Sequence, residues 1–305
     1  MKFSEFLTGE ISDAEKIKFF ENHQISADEI VFAVKYFQKN PPTNAVDVCG
    51  TGGSGLPRIN ASTLAAFVLA AAKIPIAKHG NRAASGRFGS FDLLEKLGIN
   101  IDLSFAESKN IFEKIGLGFF FAPKMFPEIG KFAAARRKFG RPTIFNLLGP
   151  LLSPTNPRVQ MIGTSSEKNA RLLRDAAKKL GKKKLAVVVG DGNLDEISPT
   201  GKNKIFTENR EFSLFPADFG ISQKIKFSEI LSPNLDFNIS FARDFLAGKN
   251  LDSPHSNLIF VNSAFAMALF FGDQNFKKYF QKSREIVKKG AAQNLFEKYR
   301  ELSKK

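Results

Sequence analysis

The segment DVCGTGGSGLPRINASTLAAFVLAAAKIPIAKHGNRAASGRFGS, residues 47–90, constrains this chain more than any other. A short apolar run, Ala45 to Cys49, has the length and composition of a buried strand. Gly50, Gly52, Gly53 and Gly55 follow in quick succession. Asn60-Ala61-Ser62-Thr63 then supplies N-cap residue types for an Ala-rich helix running to about Lys73. A second strand-like run, Ile74 to Ala77, ends in Lys78-His79-Gly80-Asn81-Arg82. Two strand ends and one helix start thus point the same way, which is where open α/β sheets bind ligands.

The chemistry of such a place favours phosphate. Glycines let backbone N–H groups approach an anion with no Cβ in the way. The helix N-terminus adds unpaired N–H donors and a partial positive charge. Asn60, Ser62 and Thr63 add side-chain donors, and Lys78 and Arg82 add full charges. Gly50, Gly52 and Gly55 formally match the dinucleotide pattern G-x-G-x-x-G. That pattern wants its last glycine opening the helix and an acidic residue closing the second strand. Here Leu56 to Ile59 intervene and the second strand ends in Lys78-His79, so a highly phosphorylated sugar fits better than a nicotinamide cofactor.

These residues carry a family resemblance. The D-x-C-G-T-G-G-x-G loop, the N-x-S-T helix start and the K-H-G-N-R-A-A-S-G segment resemble anthranilate phosphoribosyltransferase. The likeness continues through Arg136 to Pro154, where a paired-Arg helix leads into F-N-L-L-G-P-L, and to D-E-I-S at Asp195–Ser198. It implies a transfer of the phosphoribosyl group of phosphoribosyl pyrophosphate (PRPP) to anthranilate, with release of pyrophosphate, in tryptophan biosynthesis. It also implies an α/β fold in which a small N-terminal helical domain joins a larger α/β domain with a mainly parallel central sheet, and a homodimer. The expected division is residues 1–42, joined by a hinge and helix segment at about 126–155, against 43–305.

Along the chain, apolar spacing predicts helices at Lys2–Leu7, Asp13–Asn22 and Ala27–Gln38, with Ser12 and Ser26 as caps. Helices are expected at Phe91–Leu97, Ser104–Ile115, Phe132–Phe139 and Glu167–Leu180. Strands are expected at Gly118–Ala122, Val159–Thr164 and Leu185–Val189, with Pro123 and Pro127 in loops. Their alternation points to a mainly parallel sheet. Asn146 and Gly149-Pro150 suit a tight turn as well as they suit ligand contact. Residues from Thr207 to about Asn250 give strand-like pieces and turns. Asn257–Phe271 reads as a buried helix, and Asn275–Lys288 and Ala291–Leu302 as amphipathic closing helices.

Composition narrows the function. One cysteine, Cys49, excludes an internal disulfide framework, suits a reducing cytoplasm, and sits where a small buried apolar residue belongs. The apolar stretch around Leu64 to Ala72 is too short to span a bilayer, and the N-terminus lacks a signal-peptide core, so a cytoplasmic protein without membrane contact is expected. The net charge of +15 suits either nucleic acid or a field that draws in small anions. The lysines are scattered and no nucleic-acid motif is present, which favours the second. His23 and His255 lack a supporting motif and read as surface residues.

Adjacent carboxylates after a glycine-rich strand end, at Asp195-Glu196, suit a hard divalent cation or a solvated loop. The resemblance decides for the cation: it implies Mg²⁺ held by Asp195 and Glu196, with Ser62 as a further ligand. It likewise implies that Gly50, Gly53, Asn60, Thr63, Lys78 and Ser90 line the PRPP site, and that Asn81 and Arg136 hold anthranilate. Ser54, Arg58, Ala61, Ser62, His79, Gly80, Arg82, Ala83, Ala84, Ser85 and Gly86 complete the candidate substrate site. His79 is taken as substrate-lining, since aniline-type amines lose their proton readily once attack has begun, and no catalytic base is assigned. Two departures from the family pattern stand out. Ser54 replaces a usual Asp, and Arg58 replaces a usual Thr, bringing a cation that contacts phosphate or faces solvent. The competing readings are a related transferase with another aromatic amine acceptor, a pyrimidine nucleoside phosphorylase, and a catalytically retired relative that binds nucleic acid. The phosphorylase would want K-H-S-T-G-G where this chain has a different arrangement, and a retired enzyme need not keep all three signature segments.

Overall fold

The computed structural model describes residues 1–52, 55–82 and 89–304. Three helices come first, α1 (Phe3–Thr8), α2 (Asp13–Asn22) and α3 (Ala27–Phe37). Ser12 and Ser26 cap α2 and α3, each closing a reciprocal capping box with a Glu three residues on. The chain then alternates: β1 (Thr43–Gly50), α4 (Ala61–Ala71), β2 (Ile76–Gly80), α5 (Ser90–Lys96), α6 (Phe105–Ile115) and β3 (Leu117–Phe121). A helical segment follows, with α7 (Ala122–Met125), a 3₁₀ turn at Pro127–Phe132, α8 (Ala133–Phe139) and α9 (Ile144–Leu151). The sheet resumes with β4 (Pro157–Gly163), α10 (Glu167–Lys179), β5 (Lys184–Val189), β6 (Asn203–Thr207) and β7 (Glu211–Leu214). Helices α11 (Leu235–Leu246), α12 (Pro254–Phe271), α13 (Phe276–Lys288) and α14 (Ala291–Ser303) close the chain.

The strands form one sheet in the order β3-β2-β1-β4-β5-β6-β7. β1 to β5 are mutually parallel, and β6 and β7 add antiparallel at one edge. This is the expected α/β architecture with a mainly parallel sheet. Strand order reverses beside β1, so the chain leaves it toward β2 on one side and returns as β4 on the other. The crevice at such a reversal opens at the carboxyl ends of the strands.

Strand alternation sends side chains to two different cores. Val46, Val48, Ile76, Phe119, Val159, Met161, Ala186 and Val188 face α4 and the largely apolar α12. Ile162, Leu185, Val187 and Val189 face the other way, into a core shared with α1–α3, the 126–152 helices and α10. Phenylalanines join the N-terminal helices to that segment: Phe6 stacks on Phe19 at 3.9 Å between centroids, and Phe132 lies 5.1 Å from Phe6 and 4.6 Å from Phe145. Among the described residues no single helix is long and apolar enough to cross a membrane.

Several local expectations need correction. Pro123 lies in the first turn of α7 and Pro127 in that of the 3₁₀ turn, where a missing N–H costs nothing. Asn146 and Pro150 are in α9 rather than in a tight turn, and Asn146 Oδ1 accepts from the Thr143 N–H at 2.9 Å as a capping-box partner. α11 falls in the stretch read as strand pieces; its Phe241, Ala242, Phe245 and Leu246 bury at helical spacing, and the Phe content masks that period. His23 is half-buried, stacks on Phe19 and pairs with Glu29 at 3.0 Å. His255, also half-buried, is held by the Leu231 carbonyl at 3.0 Å, and burial lowers its pKa. Cys49 is half-buried, not fully.

The outer parallel strand β3 is covered by α14. The Phe119 N–H donates to Tyr299 Oη at 3.2 Å, and Tyr299 is fully buried. Tyr299→Phe leaves that N–H without an acceptor and is expected to destabilise the fold by about 1–3 kcal/mol. Urea unfolding checks this; an unchanged midpoint would show that the edge is closed by packing alone.

Candidate active site

Each of the four inner parallel strands ends on or just before a glycine: Gly50, Gly80, Gly163 and, after β5, Gly190. At two of them the absence of a side chain is obligatory. A Cβ on Gly163 would lie 1.7 Å from the Asp195 carbonyl oxygen, and one on Gly190 would lie 2.1 Å from that of Glu196. The loop carrying Asp195 and Glu196 therefore rests directly on the strand ends. Asn262 of α12 clamps it from behind, accepting from the Ile197 N–H at 2.9 Å and donating to the Ile197 carbonyl at 2.8 Å. Sequence reasoning passed over Gly163 and Asn262, and took Gly190 only as part of the glycine-rich loop before the carboxylates. Their signals were a glycine closing a strand-like run and an amide inside a largely apolar helix.

Ser62, in the first turn of α4, is where the signature segments meet. Its N–H donates to Glu196 Oε1 at 3.2 Å, and its hydroxyl accepts from Lys78 Nζ at 3.2 Å. Lys78 is 2% exposed and also donates to the Val48 carbonyl at 2.7 Å. It is thus inside β2 and turned toward α4, not beyond the strand end. Gly50 lies beside Asp195, whose Oδ2 would be 3.0 Å from an added Cβ. Ala61 and Thr63 are buried next to Ser62, and Thr63 Oγ1 has no hydrogen-bond partner among the described residues. Asn60 takes the N-cap position of α4 without a side-chain cap bond.

Arg58 neither faces solvent nor stands ready for phosphate. Its guanidinium spans both carboxylates, with Nη2 at 2.6 Å from Asp195 Oδ1 and Nε at 3.1 Å from Glu196 Oε2. Burial works against its charge, but the two carboxylates hold its pKa above the ordinary arginine value. Glu196 is raised, first by burial and further by Asp195, with Arg58 opposing. Asp195 Oδ2 remains buried with no hydrogen-bond partner among the described residues. It borders a small cavity lined by Cys49, Ser62, Met161, Asp195, Glu196 and Asn262, among others.

That donor set fits a hard cation in a specific way. Among the described residues no group of three or more His, Cys, Asp or Glu side chains could hold a metal. Two carboxylates and a hydroxyl suffice for Mg²⁺, which keeps waters and takes further oxygens from a substrate's phosphates. The unsatisfied Asp195 oxygen is what such an ion would engage.

The remaining candidates lie around this centre. His79 points to the opposite face of β2, against Phe126 at 5.8 Å, and its Nε2 is buried without a partner among the described residues. Arg136 on α8 is half-buried, lies over the Phe145 ring at 5.4 Å, and has its pKa lowered by burial. Asn81 is exposed, and its carbonyl accepts from Ser90 Oγ at 3.3 Å, tying the end of β2 to the start of α5. Ser90 also crowds Gly80, where a Cβ would lie 2.7 Å from Ser90 Oγ. Arg82 is not part of the cluster: it pairs with Glu95 of α5 at 2.9 Å and lies over Phe121. Gly53, Ser54, Ala83, Ala84, Ser85 and Gly86 lie outside the described residues.

Comparison with known proteins converges on one family. Residues 42–293 match the glycosyl transferase family a/b domain. The anthranilate phosphoribosyltransferase of Aquifex aeolicus is 33% identical over 289 residues, covering 91% of this chain and 84% of that relative. That of Novosphingobium aromaticivorans is 33% identical over 305 residues, covering 96% and 92%. Among solved structures, the enzyme of Thermus thermophilus superposes with a TM-score of 0.90 at 28% identity, covering 99% of this chain and 93% of that one. The Saccharomyces cerevisiae enzyme, solved with PRPP and Mg, gives 0.88 at 25% identity over 99% and 90%.

Beneath the site, Asp47 and His79 make opposing contributions to stability. Burial raises the Asp47 carboxyl from 3.8 to about 6, against the pull of Lys78 and the His79 N–H. The folded protein takes up that proton first, so this group costs stability as pH rises through 3.8 to 6. Burial, then Lys78, lowers His79 from 6.5 to about 4, so this group adds stability as pH rises from 4 to 6.5. Each is worth up to about 3 kcal/mol, at roughly 1.4 kcal/mol per pH unit. Asp47→Asn should therefore become more stable from pH 4 to 6.5, and His79→Gln less stable, relative to a flatter parent. Urea unfolding across that range checks it; parallel pH profiles in all three proteins would refute the opposition.

Proposed function

Because the chain belongs to the anthranilate phosphoribosyltransferase family, we propose that the cluster centred on Ser62 is where it transfers phosphoribosyl from PRPP to anthranilate in tryptophan biosynthesis. One observation carries the assignment: Ser62 contacts Lys78 through its hydroxyl and Glu196 through its N–H, each at 3.2 Å. The helix start, the basic strand end and the carboxylate pair, which are apart in sequence, thereby meet at one helix N-terminus, and Gly50 lies beside Asp195.

The reaction makes a bond between the anthranilate nitrogen and ribose C1 as the bond from C1 to the pyrophosphate oxygen breaks. The electron pair leaves on pyrophosphate, and the amine proton is lost after attack. An oxocarbenium-like transition state needs the departing charge balanced and the reactants aligned. Asp195, Glu196 and Ser62 would hold Mg²⁺, which would supply balancing charge for the diphosphate. The α4 N-terminus and Lys78 present donors to the phosphates, with Gly50, Asn60, Thr63 and Ser90 around them.

Arg136 suits the anthranilate carboxylate. It is a half-buried guanidinium with no carboxylate partner among the described residues, and its fork can take two oxygens at once. Asn81 would complete the acceptor site. His79, held neutral at pH 7 by burial, lines that side without acting as a base. A cytoplasmic enzyme accords with the single free cysteine. Residues 1–42 with about 126–155 would form the smaller lobe. A homodimer contact through α3 is supported by Phe32 and Tyr36, each 41% exposed.

Anthranilate fluorescence is expected to fall on mixing the protein with PRPP and Mg²⁺. Asp195→Asn/Glu196→Gln should slow that loss at least about a hundredfold, with a thermal melt to check folding. If PRPP binds but anthranilate is untouched, the acceptor is a different aromatic amine. If PRPP does not bind, the assignment of the cluster fails.

A further inference from the structure

We propose that Arg58 is an internal counter-cation locked onto the metal-binding carboxylates, which a divalent cation reaches only by displacing the guanidinium. The inference rests on the assignment of Asp195 and Glu196 as the cation site.

The guanidinium already sits where a bridging ion would bind. Arg58 Nη2 lies 2.6 Å from Asp195 Oδ1, and Nε lies 3.1 Å from Glu196 Oε2, so one oxygen of each carboxylate is taken. An ion drawing both carboxylates into its coordination shell, at the short Mg–O distance of about 2.1 Å, competes with the guanidinium for those oxygens. Like charges sharing those oxygens also repel strongly, because the pair is buried: Asp195 is 1% exposed and Glu196 6%.

Charge explains why the lock is needed and why it can open. Two adjacent buried carboxylates carry more negative charge than a single guanidinium cancels, and Asp195 Oδ2 is left without a hydrogen-bond partner. A divalent cation is the better match, so exchange is favourable when the ion is abundant. Until then Arg58 keeps the pair from being an uncompensated buried charge, which is strongly destabilising.

Only the side chain has to move. The backbone around Arg58 is fastened to the far loop by a bridge to Leu231, by the Ser232 N–H to the Pro57 carbonyl at 2.9 Å, and by Asn238 Nδ2 to the Arg58 carbonyl at 3.2 Å. A displaced guanidinium therefore stays at the rim of the site, on the segment that leads into α4. There it faces incoming diphosphate, and the carboxylates' cation and the substrate's anion exchange partners with Arg58.

Mn²⁺ binding, followed by electron paramagnetic resonance on the metal-free protein, tests the lock without relying on turnover. Arg58→Met fills the space without charge and should bind Mn²⁺ at least about tenfold more tightly than the parent. Its melting temperature should start lower and rise further on adding Mg²⁺. Arg58→Lys keeps a charge that cannot span both carboxylates, and should bind Mn²⁺ severalfold more tightly than the parent; it serves if the Met variant fails to fold. Mn²⁺ binding no tighter in either variant overturns the lock, while the metal site stands if the parent's anthranilate consumption still requires Mg²⁺. Mn²⁺ binding by none of the proteins overturns the metal site and the lock together.

Discussion

The site depends on one close approach, the carbonyl of Asp195 lying against Gly163. No residue with a side chain fits there, because its Cβ would be 1.7 Å from that oxygen. Gly190 makes the same concession to Glu196, and Gly50 a lesser one to the Asp195 carboxylate. None of these three has a positive φ, so the glycines serve by what they lack rather than by where their backbone can go. The Gly190 N–H donates to the Leu194 carbonyl at 2.7 Å, closing the turn between them. The outcome is a pair of carboxylates fixed on the ends of parallel strands and shielded from water.

Shielding creates the electrostatic problem that the neighbouring residues solve. A buried carboxylate without a counter-charge shifts its pKa upward, as Glu196 does in spite of Arg58 and as Asp47 does in spite of Lys78. The chain's surplus of 15 positive charges is mostly spread over its surface. What sets the chemistry is the small subset brought inward. Arg58 and Lys78 converge on the Ser62 turn, one through the carboxylates that Ser62 contacts and one onto Ser62 itself. Lys78 is thereby held in position beside the helix N-terminus, whereas the charge of Arg58 is taken up by the carboxylates.

Local order was legible in the sequence to the extent that it is local. The β1–α4–β2 unit, the caps of α2 and α3, and the buried α12 follow from spacing and residue type within short windows. Asp195-Glu196 was legible as a pair, but its partner was not. Arg58 lies 138 residues from Glu196, and nothing in its neighbourhood announces an ion pair. From its own segment it reads as a cation for phosphate or for solvent. The misread stretches have related causes. Asn146 and Pro150 have the composition of a turn, yet packing of Phe145 and Leu148 into the core makes the segment helical. α11 hides its period behind phenylalanines that suit strands equally well. His23 and His255 have no motif, but Phe3 stacks on the first and Phe237 lies against the second, neighbours that only the fold supplies.

The alternation of a single strand divides the proposed chemistry between two sides. Lys78 and His79 are neighbours in β2, and the pleat sends them to opposite faces. Lys78 joins the face carrying α4 and Ser62, together with the carboxylate pair. His79 joins the face toward Phe126, the segment that also carries α8 and Arg136. A strongly anionic phosphoribosyl donor and an aromatic acid acceptor make different demands, one for concentrated charge and the other for a ring-sized apolar wall with a single guanidinium. Placing them on the two sides of one strand end lets each environment be built without compromising the other. In the proposed reaction, the strand end between them, with Gly50 of β1 alongside, is where the two would reach a common carbon. Gly50 has room for that approach because it ends β1 without a side chain, between the Asp195 carboxylate and open solvent.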